Sequence, residues 1–271
     1  MDVLAFGEVL WDVIDGVPHL GGAPFNFAAH VARRGFKTAI VSEVGDDDFG
    51  RRVLDAAGRF GVDSSFVGVH PGLPTGTVNV ALKDGIPSYE IVRPVAWDEI
   101  AVSTDIPPPR AFYFGTLAQR SPVSAASLKR LLGKCSSSLV FFDVNLRQDY
   151  WSHELVESGV ANADILKVND EEMATLRFRP DELFGRFPRL RTVVETKGAA
   201  GCRVFPRDAA AFDSPAIADG PVVDTVGAGD SFSAAFIAAV LSGEGLVAAA
   251  EEGNRLAGKV AARAGAIPDN L

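Results

Sequence analysis

Asp230 lies in the run Val222-Val223-Asp224-Thr225-Val226-Gly227-Ala228-Gly229-Asp230-Ser231-Phe232. Gly227 and Gly229 permit positive φ, and without a Cβ they let a ligand approach the backbone. The apolar stretch from Phe232 to Leu241 predicts a helix that starts at this turn. Free N–H groups of a first helical turn, with the helix dipole, favour an anion at the Gly227, Ala228 and Gly229 amides. A carboxylate beside such a site repels the anion. Its presence makes sense if Asp230 removes a proton from a hydroxyl that attacks a phosphate. The plain alternative is a glycine turn with Asp230 as a helix N-cap.

Other polar clusters also follow apolar runs. Val3 to Phe6 reads as a buried strand ending at Gly7, and Glu8 and Asp12 come next. Strands of this kind deliver acids to a site at the carboxyl edge of a sheet; Asp12 is read as such an acid and Glu8 is not. Gly21-Gly22-Ala23-Pro24-Phe25-Asn26 opens a helix that Gly35 stops, with Asn26 facing outward. In Asp143-Val144-Asn145-Leu146-Arg147, alternation sets Asp143, Asn145 and Arg147 on one side of an extended segment. Arg147 could grip a phosphate or carboxylate as a fork, or simply pair with Asp143. Asn169 and Glu172 fit either a magnesium-organising pair or a helix capping box. Thr196-Lys197-Gly198-Ala199-Ala200-Gly201 predicts a hairpin turn, and no Walker A loop exists in the chain. Asp46, Asp47 and Asp48 read as caps of the helix that follows them.

The elements that must position these groups alternate. Phe112–Phe114, Leu139–Phe142, Asp164–Val168 and Thr192–Thr196 read as strands, with amphipathic helices at Val123–Leu132 and Glu171–Leu176 between them. Continuous apolar strands separated by helices predict an α/β fold: doubly wound, a mostly parallel sheet covered on both faces. Thr75–Leu82 and Tyr89–Val92 interrupt this pattern as a β-hairpin around Lys83-Asp84-Gly85, with Val78, Val80 and Leu82 on its apolar face. A single domain over 1–271 is expected; the insertion, at about 75–93 with a short contribution from 12–20, either covers a site or completes an edge of the main sheet.

With 26 Lys and Arg against 35 Asp and Glu, the net charge is 26 − 35 = −9, which offers no general field for nucleic acid or anionic lipid. Hydrophobic content of 47% is ordinary globular composition. Cys135 and Cys202 stand apart, without metal-ligand spacing, and fit a reducing compartment. The opening segment lacks a basic region before its apolar run, and no run approaches the ~20 apolar residues of a membrane span. A cytoplasmic setting is expected.

The run around Asp230 resembles the C-terminal signature of the ribokinase-like (PfkB) sugar kinases, and similarity to that family extends from residue 3 to about residue 267. The resemblance implies ATP and Mg²⁺ as cofactors, a small sugar as partner, and a monomer or homodimer. It implies Asp230 as catalytic base, with the Gly227, Ala228 and Gly229 amides stabilising the transferring group. It implies sugar contacts from Asp12, Gly21, Gly22, Asn26 and Arg147. Nucleotide contacts are implied at Asn169, Glu172, Thr196, Gly198, Gly201 and Asn254, with Glu172 on magnesium through water. Asp224 and the carbonyl of Val226 match the place where many members hold a monovalent cation such as K⁺. The hairpin matches the family's lid, whose usual partner strand after Asp12 has little chain here, so a small lid is expected. Gly-Glu after the first strand and Asp-x-Asn-x-Arg are most like bacterial fructokinases. The alternatives are a 2-keto-3-deoxygluconate kinase or another sugar or nucleoside kinase, and, from a different class, a non-catalytic sugar- or nucleotide-binding regulator.

Overall fold

The computed structural model describes residues 1–83, 86–102 and 106–270, and for 80–83 and 86–89 only the backbone. The strands, in chain order, are β1 (Val3–Phe6), β2 (Leu10–Ile14), β3 (Val17–Gly21), β4 (Thr38–Gly45), β5 (Val62–Asp63), β6 (Val67–His70), β7 (Gly76–Lys83), β8 (Ile86–Ile91), β9 (Ala111–Phe114), β10 (Leu139–Asp143), β11 (Ile165–Asn169), β12 (Thr192–Thr196), β13 (Cys202–Pro206) and β14 (Phe212–Ser214). The helices are α1 (Ala23–Arg33), α2 (Asp48–Phe60), α3 (Pro122–Lys134), α4 (His153–Asn162), α5 (Asp170–Leu176), α6 (Pro180–Arg186), α7 (Ala228–Leu241) and α8 (Leu246–Ala261).

The main sheet runs β14-β13-β12-β11-β10-β9-β1-β4-β5, with β6 also on β4. Strands β1, β4 and β9 to β12 are parallel; β13 and β14 form an antiparallel edge. Alternate residues of each strand enter opposite cores. Ala5, Tyr113, Phe141 and Val194 pack with α1, α2, α7 and α8. Phe6, Phe114, Phe142 and Val193 pack on the other face with α3, α4, α5 and α6. This is the expected ribokinase-like α/β fold. The chain leaves β1 for β4 on one side and later returns to β9 on the other, so β1 is the switch point where ligands bind at strand carboxyl ends.

The lid is larger than expected. It is a separate four-stranded sheet, β3-β2-β7-β8, in which residues 10–21 supply two full strands and not a short contribution. Strands β2 and β3 pair antiparallel from Leu10↔Gly21 to Ile14↔Val17, and β2 pairs parallel with β7. The short connection suffices because Asp15 (φ 49°) and Gly16 (φ 78°) make a two-residue turn with both residues at positive φ, which matches strand twist. Pro18 stands on the outer strand β3, where a missing N–H costs no ladder bond. The apolar underside expected of the hairpin is seen at Val78, 6% exposed; the side chains of Val80 and Leu82, and the Asp84-Gly85 turn, lie outside the described residues.

Candidate active site

A cleft of about 1770 Å³ runs along the carboxyl ends of the strands, between the main sheet and the lid. Asp12, Gly22, Asn26, Arg147, Asn169, Thr196, Gly198, Gly201, Asp224, Val226, Gly227, Ala228, Gly229, Asp230 and Asn254 all line it. Of the expected site residues, Gly21 and Glu172 stand just behind its wall.

Asp230 is not a cap. Gly227, at φ 74°, is the N-cap of α7 and no side chain caps it; Asp230 is the third helical residue. Its Oδ2 accepts from Asn26 Nδ2 at 2.8 Å, which joins α1 to α7. Burial first pushes its carboxyl up to about 6; the Asn26 hydrogen bond, Lys167 and Arg147 oppose this, and the charge of Asp143 adds to it. A carboxylate so placed can still accept a proton near neutral pH.

The anion turn is narrower than the sequence suggests. Ala228 N–H already donates to the Thr225 carbonyl at 3.2 Å. The amides that lack a helical carbonyl at this end are those of Gly229 and Asp230. A Cβ on Gly229 would lie 3.1 Å from Lys167 Nζ, so the lysine ammonium stands directly against the turn. A Cβ on Gly227 would strike Ala266 at 2.6 Å. His30, buried on α1, bonds the Ala266 carbonyl through Nε2 at 2.8 Å, so α1 braces this turn from behind.

The Asp143 segment corrects a second expectation. Asp143 does not share a side with Asn145 and Arg147, nor does it pair with Arg147. It is fully buried and accepts from Lys167 Nζ (3.0 and 3.1 Å), Tyr113 Oη (3.2 Å) and Ser233 Oγ (3.0 Å). Asn145 adopts φ 44°, which breaks the extended alternation and turns Arg147 into the cleft. Burial pulls the Lys167 amine down, but Asp143, then Glu172 and Asp230, hold it above the usual lysine range, so it stays charged.

Asn169 and Glu172 form the reciprocal capping box of α5: Glu172 N–H donates to Asn169 Oδ1 (2.8 Å), and Asn169 N–H to Glu172 Oε2 (2.9 Å). Glu172 Oε1 accepts from Leu146 N–H at 2.8 Å, so the same carboxylate anchors the loop that carries Arg147. Both oxygens are thus engaged, and the carboxylate lies behind the cleft wall.

Gly21 leaves room for an acid side chain, and Gly22 for the backbone after β1. A Cβ on Gly21 would lie 2.6 Å from Asp12 Oδ2, and one on Gly22 2.6 Å from the Glu8 carbonyl. Burial raises the Asp12 carboxyl, with Arg147 and His19 opposing. At the other end of the cleft, Gly198 (φ 52°) and Gly201 (φ 87°) shape the β12–β13 turn. The Asn254 amide donates to Ser214 O and Oγ, both at 3.0 Å, and so ties α8 to β14. Asp224 accepts from Val226 N–H and Gly265 N–H, both at 3.0 Å, and clamps the segment before the turn.

Two further groups line this cleft: Lys167, to which the sequence assigned no role, and Glu8, which was set aside in favour of Asp12. Lysine inside the apolar strand Ile-Leu-Lys-Val was a signal, because a buried cation needs a partner. In register it sits beside Asp143. Glu8 carried the weaker signal of an acid directly after the central strand.

A carboxylate with a raised proton affinity, a helix N-terminus and a lysine beside it, and a lid above suit phosphoryl transfer to a hydroxyl. The match to known proteins gives the same class. Residues 2–271 match the model of the pfkB family carbohydrate kinases, and the chain belongs to that family. It is a phosphotransferase acting on a sugar hydroxyl. An uncharacterized sugar kinase of Pyrococcus horikoshii is 33% identical over 239 residues, 84% of this chain and 75% of that one. Its crystal structure superposes with a TM-score of 0.87, covering 98% and 93% of the two chains. Fructokinase-1 of Oryza sativa subsp. japonica is 29% identical over 266 residues, 87% of this chain and 81% of that one. Aminoimidazole riboside kinase from Salmonella enterica, complexed with aminoimidazole riboside and an ATP analogue, gives a TM-score of 0.85 at 25% identity, covering 98% and 95%. Among the described residues no helix is long and apolar enough to cross a membrane.

Proposed function

We propose that the chain transfers the γ-phosphate of ATP to a primary hydroxyl of a small neutral sugar, with fructose as the first choice. The observation that carries this is Asp230 held by Asn26 at the head of α7, beside Gly229 and Lys167. Asp230 accepts the proton of the attacking hydroxyl. The Gly229 and Asp230 amides, the dipole of α7 and the Lys167 ammonium stabilise charge on the transferring group. Asp12, Gly22 and Asn26 bind the sugar, with Arg147 closing the site. Thr196, Gly198, Gly201 and the wall around Asn254 bind the nucleotide. The likeness to a plant fructokinase supports the choice of sugar.

The donors at the phosphate end are oxygens: Asn169, Asp170 and Glu171 line the cleft, with Glu172 behind them. This set fits Mg²⁺, which prefers oxygen and keeps several waters. Bound there through its waters, Mg²⁺ would screen the charge of the ATP phosphates. The Asp224 carboxylate and the Val226 carbonyl are the oxygens that would hold K⁺.

A coupled ADP-release assay over a panel of sugars tests the reading. The panel includes fructose, 2-keto-3-deoxygluconate and ribose, with a nucleoside added. Sugar-dependent ADP release greatest with fructose is expected. Preference for the sugar acid or the nucleoside overturns the choice of fructose, and binding of a sugar without ADP release in any case favours a regulator.

A further inference from the structure

We propose that Glu8 is a sugar-binding residue, which adds a second acid beside Asp12 to the grip on the acceptor's hydroxyls. The proposal rests on the sugar-kinase reading above. Glu8 leaves the carboxyl end of β1, the strand at the switch point of the sheet. It is only 3% exposed, yet it lines the cleft together with Asp12, Asn26 and Asp230.

A buried carboxyl is normally held by a cation or by several donors. The cations that act on Glu8 are Arg147 and Arg120, with Asp230 opposing them. Among the described residues neither arginine hydrogen-bonds Glu8, and Arg120 Nη1 is buried without a partner. Arg120 grips Asp98 with two bonds, at 2.7 and 2.9 Å, and also donates to the Val92 carbonyl. Arg147 donates to the Leu146 carbonyl. Burial pushes the Glu8 carboxyl up to about 7, with its own backbone N–H, Arg147 and Arg120 opposing. The protein therefore bears the desolvation of this acid with little return in the free state.

A second acceptor at the same end of the cleft is also waiting. Asn26 Oδ1 is buried and has no partner among the described residues, while its Nδ2 holds Asp230. Glu8, Asp12 and Asn26 Oδ1 together make an end rich in acceptors. The ligand that satisfies them brings several O–H donors, as a neutral polyhydroxy compound does. A carboxylate of a sugar acid would meet these acids with Arg147 as the cation facing it.

The test compares Glu8→Met, which fills the space without hydrogen bonding, with Glu8→Gln, which keeps it. Wild-type turnover is first established on the sugar panel. With the best sugar, E8M is expected to raise the sugar KM at least tenfold and to leave the ATP KM within twofold. E8Q should fall between E8M and the wild type. At pH 8 the free E8M and E8Q proteins should melt no lower than wild type, because the variants remove a buried charge. A wild-type sugar KM in E8M overturns the assignment. So does a fall in melting temperature with equal rises in both KM values, the mark of a structural acid. A wild type that turns over no sugar overturns the kinase reading, and this assignment with it.

Discussion

Asn26 and Asp230 are 204 residues apart in sequence and 2.8 Å apart in the fold. The bond ties the helix that follows the Gly21-Gly22 turn to the helix that follows the anion turn. It fixes the Asp230 carboxylate in the cleft beside Asn26. It also tempers that carboxylate, because a donor to the charged form lowers a proton affinity that burial has raised.

Asp230→Asn should cut kcat by at least ~10²-fold, the lower range for a general base. The fold and ATP binding should persist. In the wild type, kcat should fall as pH drops through about 6, where Asp230 takes up its proton. The stability of the free protein should move the other way. A carboxyl whose folded pKa is raised favours the fold while protonated, and that contribution is lost as pH rises through about 6. D230N should therefore melt no lower than wild type at pH 8. A mutant with wild-type turnover would remove Asp230 from the mechanism.

The glycines of the turn should respond differently from each other. Gly229→Ala brings a Cβ to 3.1 Å from Lys167 Nζ and into the space before the free amides. The variant should fold and lose at least tenfold in kcat, with a smaller change in sugar KM. Gly227→Val meets the Ala266 backbone at 2.6 Å from a backbone at φ 74°, so it should also lower the melting temperature. Steady-state kinetics and thermal unfolding of both variants separate these outcomes; unchanged kcat in both would contradict the anion site.

Lys167→Met leaves Asp143 charged, buried and without its cation. Breaking a buried pair in this way costs about 3–5 kcal/mol. The single mutant should unfold early. Adding Asp143→Asn removes the stranded charge and should restore much of the melting temperature. If Lys167 acts on the transferring phosphoryl group, the double mutant remains slow, by at least tenfold in kcat. Recovery of both stability and turnover would limit Lys167 to a structural part.

The lid should close on the sugar. Its inner strands β2 and β7 flank the acceptor end of the cleft, and closure would keep water from the phosphoryl group. Hydrogen exchange at amides of Leu10–Ile14 and Gly76–Asn79 should slow on adding the sugar and change little with ATP alone. Full protection in the free monomer would mean a fixed lid.

Much of this protein was legible in its sequence because the deciding physics is local. Strand and helix periods along residues 112–196 predicted the parallel sheet, and the alternation of each strand between two cores bears it out. The Gly227-Ala228-Gly229-Asp230 turn announced a helix N-terminus because a long apolar helical run begins directly after it. Pairing and burial were not legible, since they depend on chain brought from elsewhere. Lys167 in register with Asp143 decided that Asp143 is the buried counter-charge of Lys167 and not the partner of Arg147. The Thr225 carbonyl decided that Ala228 N–H is occupied. A two-residue turn at Asp15-Gly16 built a four-stranded lid from chain that looked too short to supply a strand. Glu8 reads in the sequence as an acid after a strand; the closure of the fold around it makes it a buried carboxyl in the cleft, where desolvation governs its charge.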